Sequence, residues 1–372
     1  MSKLVLITGG AGFIGSHLAD ELLRYGYRVR VLDNLCAQVH GKNIDRPRYL
    51  DSEIEFIKGD ICNGDDVKKA LKGVSALYHF AAAVGVGQSM YQIQNYTRIN
   101  NLGTSILLEN LAGTGIEKLI VASSMSVYGE GLYINERNEY YHNAARSLQQ
   151  LKNNQWEPLT EKGEILKSVP TPETKTPSLA SVYALSKYDQ EQMCLMVTQA
   201  YKIPFVALRF FNVYGERQAL SNPYTGVLAI FASRYLNDRK PLIFEDGNQR
   251  RDFVNVKDVC RACILALESD KAAGKIFNIG SGKAYTISEI ALKMAAVLGK
   301  ENLTPVISSK YRFGDIRHCY SDIRLANRIL GYQPSIDLDK GLMCLAQWLE
   351  GQKAADNFDA ATAELVERGL AV

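Results

Sequence analysis

No stretch of the 372 residues approaches the roughly 20 consecutive apolar positions that a membrane-spanning helix needs, so no span is expected. Charge of one sign is also missing: 43 Lys and Arg against 40 Asp and Glu leave a formal net charge of +3. The basic residues are scattered and form no block, so neither nucleic acid nor a membrane surface is an expected partner. Cysteine is sparse and odd in number, seven, without the spacing of a small disulfide framework. That suits a reducing compartment, and a cytoplasmic location is expected. Cys260 and Cys263 stand as C-x-x-C in a helix-like stretch with no second ligand pair nearby. Buried thiols are the expectation there, and no metal site. Internal repeats and low-complexity tracts are absent as well. The opening Met1-Ser-Lys-Leu-Val-Leu-Ile is too short, and too soon followed by glycines, for a secretory signal; it reads as a strand.

What is there suits a globular protein of two domains or one large α/β unit, with 47% hydrophobic and 22% charged residues. Residues 3–8 are a continuous apolar run, the pattern of a strand buried on both faces. Further strands are expected at 28–33, 54–58, 76–80, 118–123 and 205–209, with helical spacing between most of them, notably at 16–25, 97–112 and 183–201. Strand and helix alternating in this way predict an α/β fold, a doubly wound parallel sheet covered by helices on both faces. Two regions break the rhythm. Residues 132–178 are polar and hold Pro158, Pro170, Pro172 and Pro177. They are too long for an ordinary connection, so a functional lid or a partly ordered insertion is expected. After about Asn212 the alternation becomes irregular, as in a smaller mixed α/β cap. The division expected is 1–211 for the sheet domain, 212–352 for the cap with some chain crossing back to the sheet, and 353–372 for an appended helix in which no chemistry is visible.

Thr8-Gly9-Gly10-Ala11-Gly12-Phe13-Ile14-Gly15 follows the first strand and opens a helix. In G-x-x-G-x-x-G the first glycine permits a tight turn, the second lets backbone N–H groups approach a pyrophosphate, and the third lets helix pack on strand. The helix N-terminus then faces the anion. Dinucleotide binding on a Rossmann-type sheet is the expectation. Asp33 ends the second strand, where a carboxylate accepts from the adenosine ribose hydroxyls and repels a 2′-phosphate, favouring NAD over NADP. The alternative is that it only caps a turn. Asp60, in the Gly59-Asp60 pair after the third strand, is a candidate for the adenine edge or an ordinary turn residue.

Tyr183-Ala-Leu-Ser-Lys187 is Y-x-x-x-K, and residues four apart share a helix face. Lys187 beside the phenol is expected to favour its ionised form, making Tyr183 a general base for a sugar hydroxyl. Ser123-Ser124-Met125-Ser126-Val127-Tyr128-Gly129 ends another strand, at the side where open parallel sheets bind ligands. A hydroxyl there can bond the same substrate oxygen, or merely cap the loop.

Together these three patterns resemble the extended short-chain dehydrogenase/reductase family, in its nucleotide-sugar epimerase/dehydratase branch. His79-Phe-Ala-Ala82, Arg209-Phe-Phe-Asn212-Val-Tyr-Gly215, Arg251-Asp252-Phe253-Val254-Asn255-Val256 and Arg312-Phe-Gly-Asp315 resemble its supporting segments, over about residues 3–350. The resemblance implies cofactor contacts from Gly9, Gly12, Phe13, Ile14, Gly15, Asp33, Asn34, Asp60, Ile61, Phe80, Ala81, Ala82, Asn100, Ser123, Tyr183, Lys187 and Phe210. It implies substrate contacts from Ser124, Ser126, Asn212, Arg217, Arg251 and Arg312, with Ser124, Tyr183 and Lys187 catalytic. Arg251 and Arg312 suit a diphosphate, because a guanidinium grips phosphate oxygens with two donors; the adjacent Arg250 competes for that role.

In this family a hydride leaves sugar C4 for NAD, giving a 4-keto sugar. The dehydratases then use acidic residues just before Val-Tyr-Gly, and the decarboxylases carry a Glu there. Met125 and Ser126 occupy those positions here and cannot move protons in that way. Return of the hydride to the other face, a 4-epimerisation, is therefore expected. The 218–226 stretch and the long insertion look most like dTDP-L-rhamnose 4-epimerases, then UDP-glucose 4-epimerases. Alternatives are a UDP-uronate 4-epimerase, a 4,6-dehydratase or decarboxylase, and, in a different class, a non-catalytic NAD-sensing regulator. A homodimer is expected through 97–112 and 183–201, which carry Ile106, Leu107, Leu111, Met193, Leu195 and Met196 on more than one face.

Overall fold

The computed structural model of the chain describes residues 2–224, 226–312, 314–352 and 354–372. Met1, Thr225, Phe313 and Lys353, each within a segment read above, lie outside the described residues.

Seven parallel strands form the central sheet: β1 (Leu4–Thr8), β2 (Arg28–Asp33), β3 (Glu55–Lys58), β4 (Ala76–His79), β5 (Lys118–Ser124), β6 (Phe205–Phe210) and β7 (Lys275–Ile279). Their order is β7-β6-β5-β4-β1-β2-β3. Side chains alternate between two cores. Val5, Ile7, Val29, Val31, Tyr78, Ile120, Val206 and Leu208 pack under the helices Phe13–Arg24, Val256–Glu268 and Arg324–Leu330. Leu4, Leu6, Leu32, Leu77, Leu119, Val121, Phe205 and Ala207 pack under Gly64–Leu71, Gly103–Glu109 and Val182–Ala200. Burying a large apolar side chain stabilises by about 1.5–3 kcal/mol, whereas strand propensities span only ~1 kcal/mol. Two-sided burial therefore explains why runs with so little alternation become strands. Cys260 and Cys263 are both buried in the first of these cores.

β7 reaches the sheet only at residue 275, after the chain has left it at Phe210. Between and beyond lies a third core, where Tyr214, Leu228, Phe231, Tyr235, Ile243, Phe253, Met294, Leu342 and Leu345 meet. It is built on the helices Val227–Leu236, Ile287–Val297 and Leu338–Leu349. No helix among the described residues is long and apolar enough to cross a membrane.

Residues 132–178 were expected to form a lid or to be partly ordered; the structure gives them strands and a small core of their own. Leu132–Ile134 pairs antiparallel with Tyr140–Tyr141 and with Lys167–Val169 around a small core of Tyr133, Ala144 and Leu166. The polar residues that disguise this segment make buried ion pairs with the cap. Arg146 bonds Glu245 at 2.7 Å and the Asp315 carbonyl at 2.9 Å. Arg317, 1% exposed, binds Glu157 at 2.6 Å, Asp246 at 2.5 Å and Glu245 at 3.1 Å. None of 132–178 lines the cavity described next.

Candidate active site

A cavity of about 950 Å3 opens at the C-terminal ends of β1, β4 and β5, where the strand order reverses. Such a switch point leaves a crevice between diverging connections.

At one side is the turn after β1. Gly9 sits at φ +68, and a Cβ there would lie 2.8 Å from the Ala81 backbone. A Cβ on Gly15 would come within 2.6 Å of Gly10, so helix and turn touch only because both are bare. The helix Phe13–Arg24 has no side-chain cap, and Gly12, Phe13, Ile14 and Gly15 line the cavity. Its first N–H groups and its dipole are therefore free for a diphosphate.

Asp33 closes this end. Its Oδ2 accepts from Ala11 N–H at 3.0 Å and its Oδ1 from Leu35 N–H at 2.9 Å, so backbone amides hold the carboxylate as an acceptor. His40, 3.7 Å away, is pushed down by burial, against the pull of Asp33. Asn34, Ile61, Phe80, Ala81 and Ala82 line the same stretch of wall.

Ser124 ends β5, while Tyr183 and Lys187 lie in the first turns of Val182–Ala200, whose Ser181 caps it through Ala184 N–H at 3.1 Å. All three line the cavity, as do Ser123, Ser126, Phe210 and Asn212. Ser89 Oγ accepts from the Tyr183 N–H at 3.0 Å, tying the helix start to the segment after β4. Burial raises the Tyr183 phenol above its usual value, opposed by its hydrogen bond with Ser124. Burial lowers Lys187 to about 8. The lysine was expected to pull the phenol down; its Nζ instead donates to Gln190 Oε1 at 2.6 Å, and desolvation of both groups dominates. One turn on, Glu191 takes both Arg209 donors at 2.7 and 2.9 Å, a buried bidentate pair that fastens the helix to β6. His79, driven to about 3 by burial, is held neutral between Thr8 at 2.8 Å and Thr104 at 2.9 Å.

Arg251 and Arg312 form the opposite side, and Arg250 is exposed instead. Arg312 pairs with Asp315 at 2.9 Å, and Arg251 lies 3.8 Å from the same carboxylate. Among the described residues Ser123 Oγ, Asn212 Oδ1 and Gln249 Oε1 are buried in the cavity wall without a hydrogen-bond partner. Buried polar atoms are rarely left unsatisfied, so these are places for ligand groups.

Three expected contacts stand back from the wall. Asp60 accepts from Cys62 N–H at 2.8 Å and pairs with Arg98 at 3.4 Å, the turn role weighed for it. Asn100 is buried and clamps the Ala83 backbone and Ser186 Oγ, at 2.7 and 2.9 Å. Arg217 pairs with Asp20 at 2.8 Å and stacks over Tyr49 at 5.3 Å, on the outer side of the glycine turn.

Other wall residues carry no motif. Gln38 bonds Gln88 at 3.2 Å and Asn222 at 3.0 Å, joining the loop after β2, the segment after β4 and the cap. Phe358, Ala361, Thr362 and Leu365 line the cavity from the appended helix Phe358–Glu367. Their i, i+3, i+4, i+7 spacing was the available signal for a buried face, but not for what it faces.

The sequence profile of the NAD dependent epimerase/dehydratase family matches residues 5–149 and 161–280. A dTDP-L-rhamnose 4-epimerase of Burkholderia thailandensis is 33% identical over 353 residues, covering 93% of this chain and 95% of that protein. The crystal structure of a UDP-glucose 4-epimerase from Thermotoga maritima with UDP-glucose has a TM-score of 0.76 and 30% identity, covering 93% of this chain and 98% of that one. A Thermus thermophilus UDP-glucose 4-epimerase in complex with NAD has a TM-score of 0.74 at 28% identity, over 94% of this chain and 100% of that one.

Proposed function

The chain belongs to the NAD-dependent epimerase/dehydratase family, and we propose that within it the protein inverts C4 of dTDP-L-rhamnose to give dTDP-6-deoxy-L-talose. The glycine turn, the uncapped helix and Asp33 are the residues that would hold NAD, and Arg251 and Arg312 the sugar's diphosphate. When bound, NAD supplies the acceptor, and then the donor, of the C4 hydride.

Tyr183, ionised, takes the C4 hydroxyl proton as the C4–H bond breaks and the carbonyl forms, and gives the proton back when the hydride returns to the other face. Ser124 hydrogen-bonds the same oxygen. Lys187 adds positive charge that favours the phenolate.

One observation carries the choice of epimerisation. Two carboxylates line the cavity among the described residues, and both are committed. Asp33 is held by two backbone amides, and Asp315, though buried, is kept ionised below its usual range by Arg312 and Arg251. Met125 is 6% exposed and Ser126 carries only a hydroxyl, so neither position supplies the acid or base for loss of water between C5 and C6. The 4-keto sugar has one exit, reduction. The rhamnose reading rests on the 33% identity across nearly the whole chain. A second reading, a UDP-glucose 4-epimerase, is favoured by the likeness to the Thermotoga enzyme.

Purified protein incubated with dTDP-, UDP- and GDP-sugars, without added cofactor, and followed by proton NMR tests the proposal. Inversion at C4 of dTDP-rhamnose with unchanged mass supports it. Inversion of UDP-glucose alone replaces the substrate, and loss of water or carbon dioxide refutes the argument from Met125 and Ser126. We propose a homodimer as well, through a face where Leu102, Leu185 and Met196 are 49%, 47% and 59% exposed.

A further inference from the structure

We propose that the C-terminal segment completes the substrate site, and that Leu365 with Ala361 and Val86 forms the apolar surface against which the C6 methyl of the sugar rests. This deepens the reading of the substrate as a 6-deoxyhexose and rests on it for the identity of that sugar.

The helix Phe358–Glu367 lies between the two halves of the molecule and is fastened to both. On the cap, Arg234 binds Asp359 at 2.6 Å and Asp356 at 3.2 Å, while Ser221 receives Ala355 N–H at 3.0 Å. On the sheet side Tyr91 donates to Glu364 at 3.0 Å, and Arg368 stacks over the Tyr91 ring at 4.4 Å. Beyond the helix, Val372 exchanges two backbone hydrogen bonds with Tyr311, at 2.9 and 3.0 Å, next to Arg312. A segment anchored at so many points presents a fixed inner face, and Ala361 and Leu365 of that face line the cavity.

Its place along the cavity is set by Gly87. A Cβ there would meet both Leu365 methyls at 3.5 Å, so the leucine rests directly on that residue. Gly87 shares one short turn, Val86–Ser89, with Ser89, which holds the Tyr183 amide at 3.0 Å. The wall is thus two residues from a contact of the residue that must reach the C4 oxygen. C6 hangs from the carbon next to C4, so the groups around C6 belong to this part of the cavity. A methyl group suits Leu365, Ala361 and Val86, whereas a hydroxymethyl would bury a hydroxyl that these side chains cannot bond.

The test compares kcat/KM for dTDP-L-rhamnose and dTDP-L-mannose, which differ only in the C6 hydroxyl. An apolar slot rejects an added hydroxyl by roughly 10- to 100-fold. Leu365→Asn, which offers a partner to that hydroxyl, is expected to cut the preference to a few-fold, and the smaller change Ala361→Ser to move it the same way. NAD content of each purified variant reports that it has folded. Wild-type protein that treats both sugars alike, or variants that keep the full preference, overturn the proposal. If wild type inverts UDP-glucose and neither dTDP-sugar, the substrate reading falls, and the wall stands only if wild type prefers UDP-6-deoxyglucose to UDP-glucose. The same ratio is then read with UDP-6-deoxyglucose against UDP-glucose, and an unchanged ratio in both variants overturns the wall.

Discussion

Lys187 donates from Nζ to Gln190 Oε1 at 2.6 Å, and Gln190 in turn donates to Thr104 at 2.8 Å, so the amine, one helical turn after Tyr183, is anchored by a buried polar chain. Its charge is expected to act on the phenol through space. Removing a charge within a few ångströms of an ionisable group moves that group by about 1–3 pH units. Lys187→Met is therefore expected to shift the rising limb of the pH profile of kcat upward by at least about one unit. Tyr183→Phe is expected to lower kcat by about 100- to 10,000-fold with NAD content unchanged. Equal rates for wild type and Tyr183→Phe refute the general-base role.

Asp33 offers a carboxylate already oriented by Ala11 and Leu35 amides. Hydrogen bonds to a charged group are worth about 1.5–3 kcal/mol, roughly 10- to 150-fold in affinity. Asp33→Ser is expected to weaken NAD binding by that factor, and to narrow the preference over NADP. Cofactor released on denaturing the purified variant, and titration of the stripped protein with each dinucleotide, check both outcomes.

The ion pairs between insertion and cap predict an acid limit. Burial works against ionised Glu157, yet His318 and Arg317 hold it at about 2. Arg317 likewise holds Asp246 at about 2 against burial. Both are lower than in an unfolded chain, so their stabilisation is full above the ordinary carboxylate range, near pH 4, and is lost as the pH falls toward 2. Urea midpoints are expected to decline over that window. In Arg317→Met they decline less steeply from a lower starting point, because Glu157, Asp246 and Glu245 lose their common partner. Glu245 keeps Arg146 and Glu157 keeps His318, so the loss is a weakened network and not an isolated buried charge.

Leu185 and Met196 are 47% and 59% exposed on the helix that carries Tyr183. Leu185→Glu combined with Met196→Glu is expected to turn a dimer into a monomer in sedimentation at micromolar concentration. A wild-type monomer removes the dimer altogether.

The sheet was legible because its strands are buried on both faces: Leu4 to Thr8 and Phe205 to Phe210 can be nothing else. Gly9, Asp33, Ser124, Tyr183 and Lys187 were legible because their chemistry depends on local spacing. The rest depends on contacts across long separations. Arg146 and Glu157 look like solvated charges until Glu245 and Arg317 are beside them. Leu365 looks like one apolar residue of an appended helix until Gly87 is under it, 278 positions earlier in a chain whose numbering separates 365 from 87. Arg217 was placed by resemblance at the sugar, but Asp20 and the Tyr49 ring claim its guanidinium.

β7 arrives from residue 275 to pair with β6 along its length, from Lys275 beside Val206 to Ile279 beside Phe210. During synthesis β6 therefore emerges long before the strand that covers it. A chain stopped near residue 211 would expose the whole flank of Phe205–Phe210, six buried residues with unpaired backbone groups, as a sticky margin. The sheet domain, though it reads as self-contained up to that point, is expected to aggregate when produced alone, because its sheet is finished only by a strand that follows part of the cap.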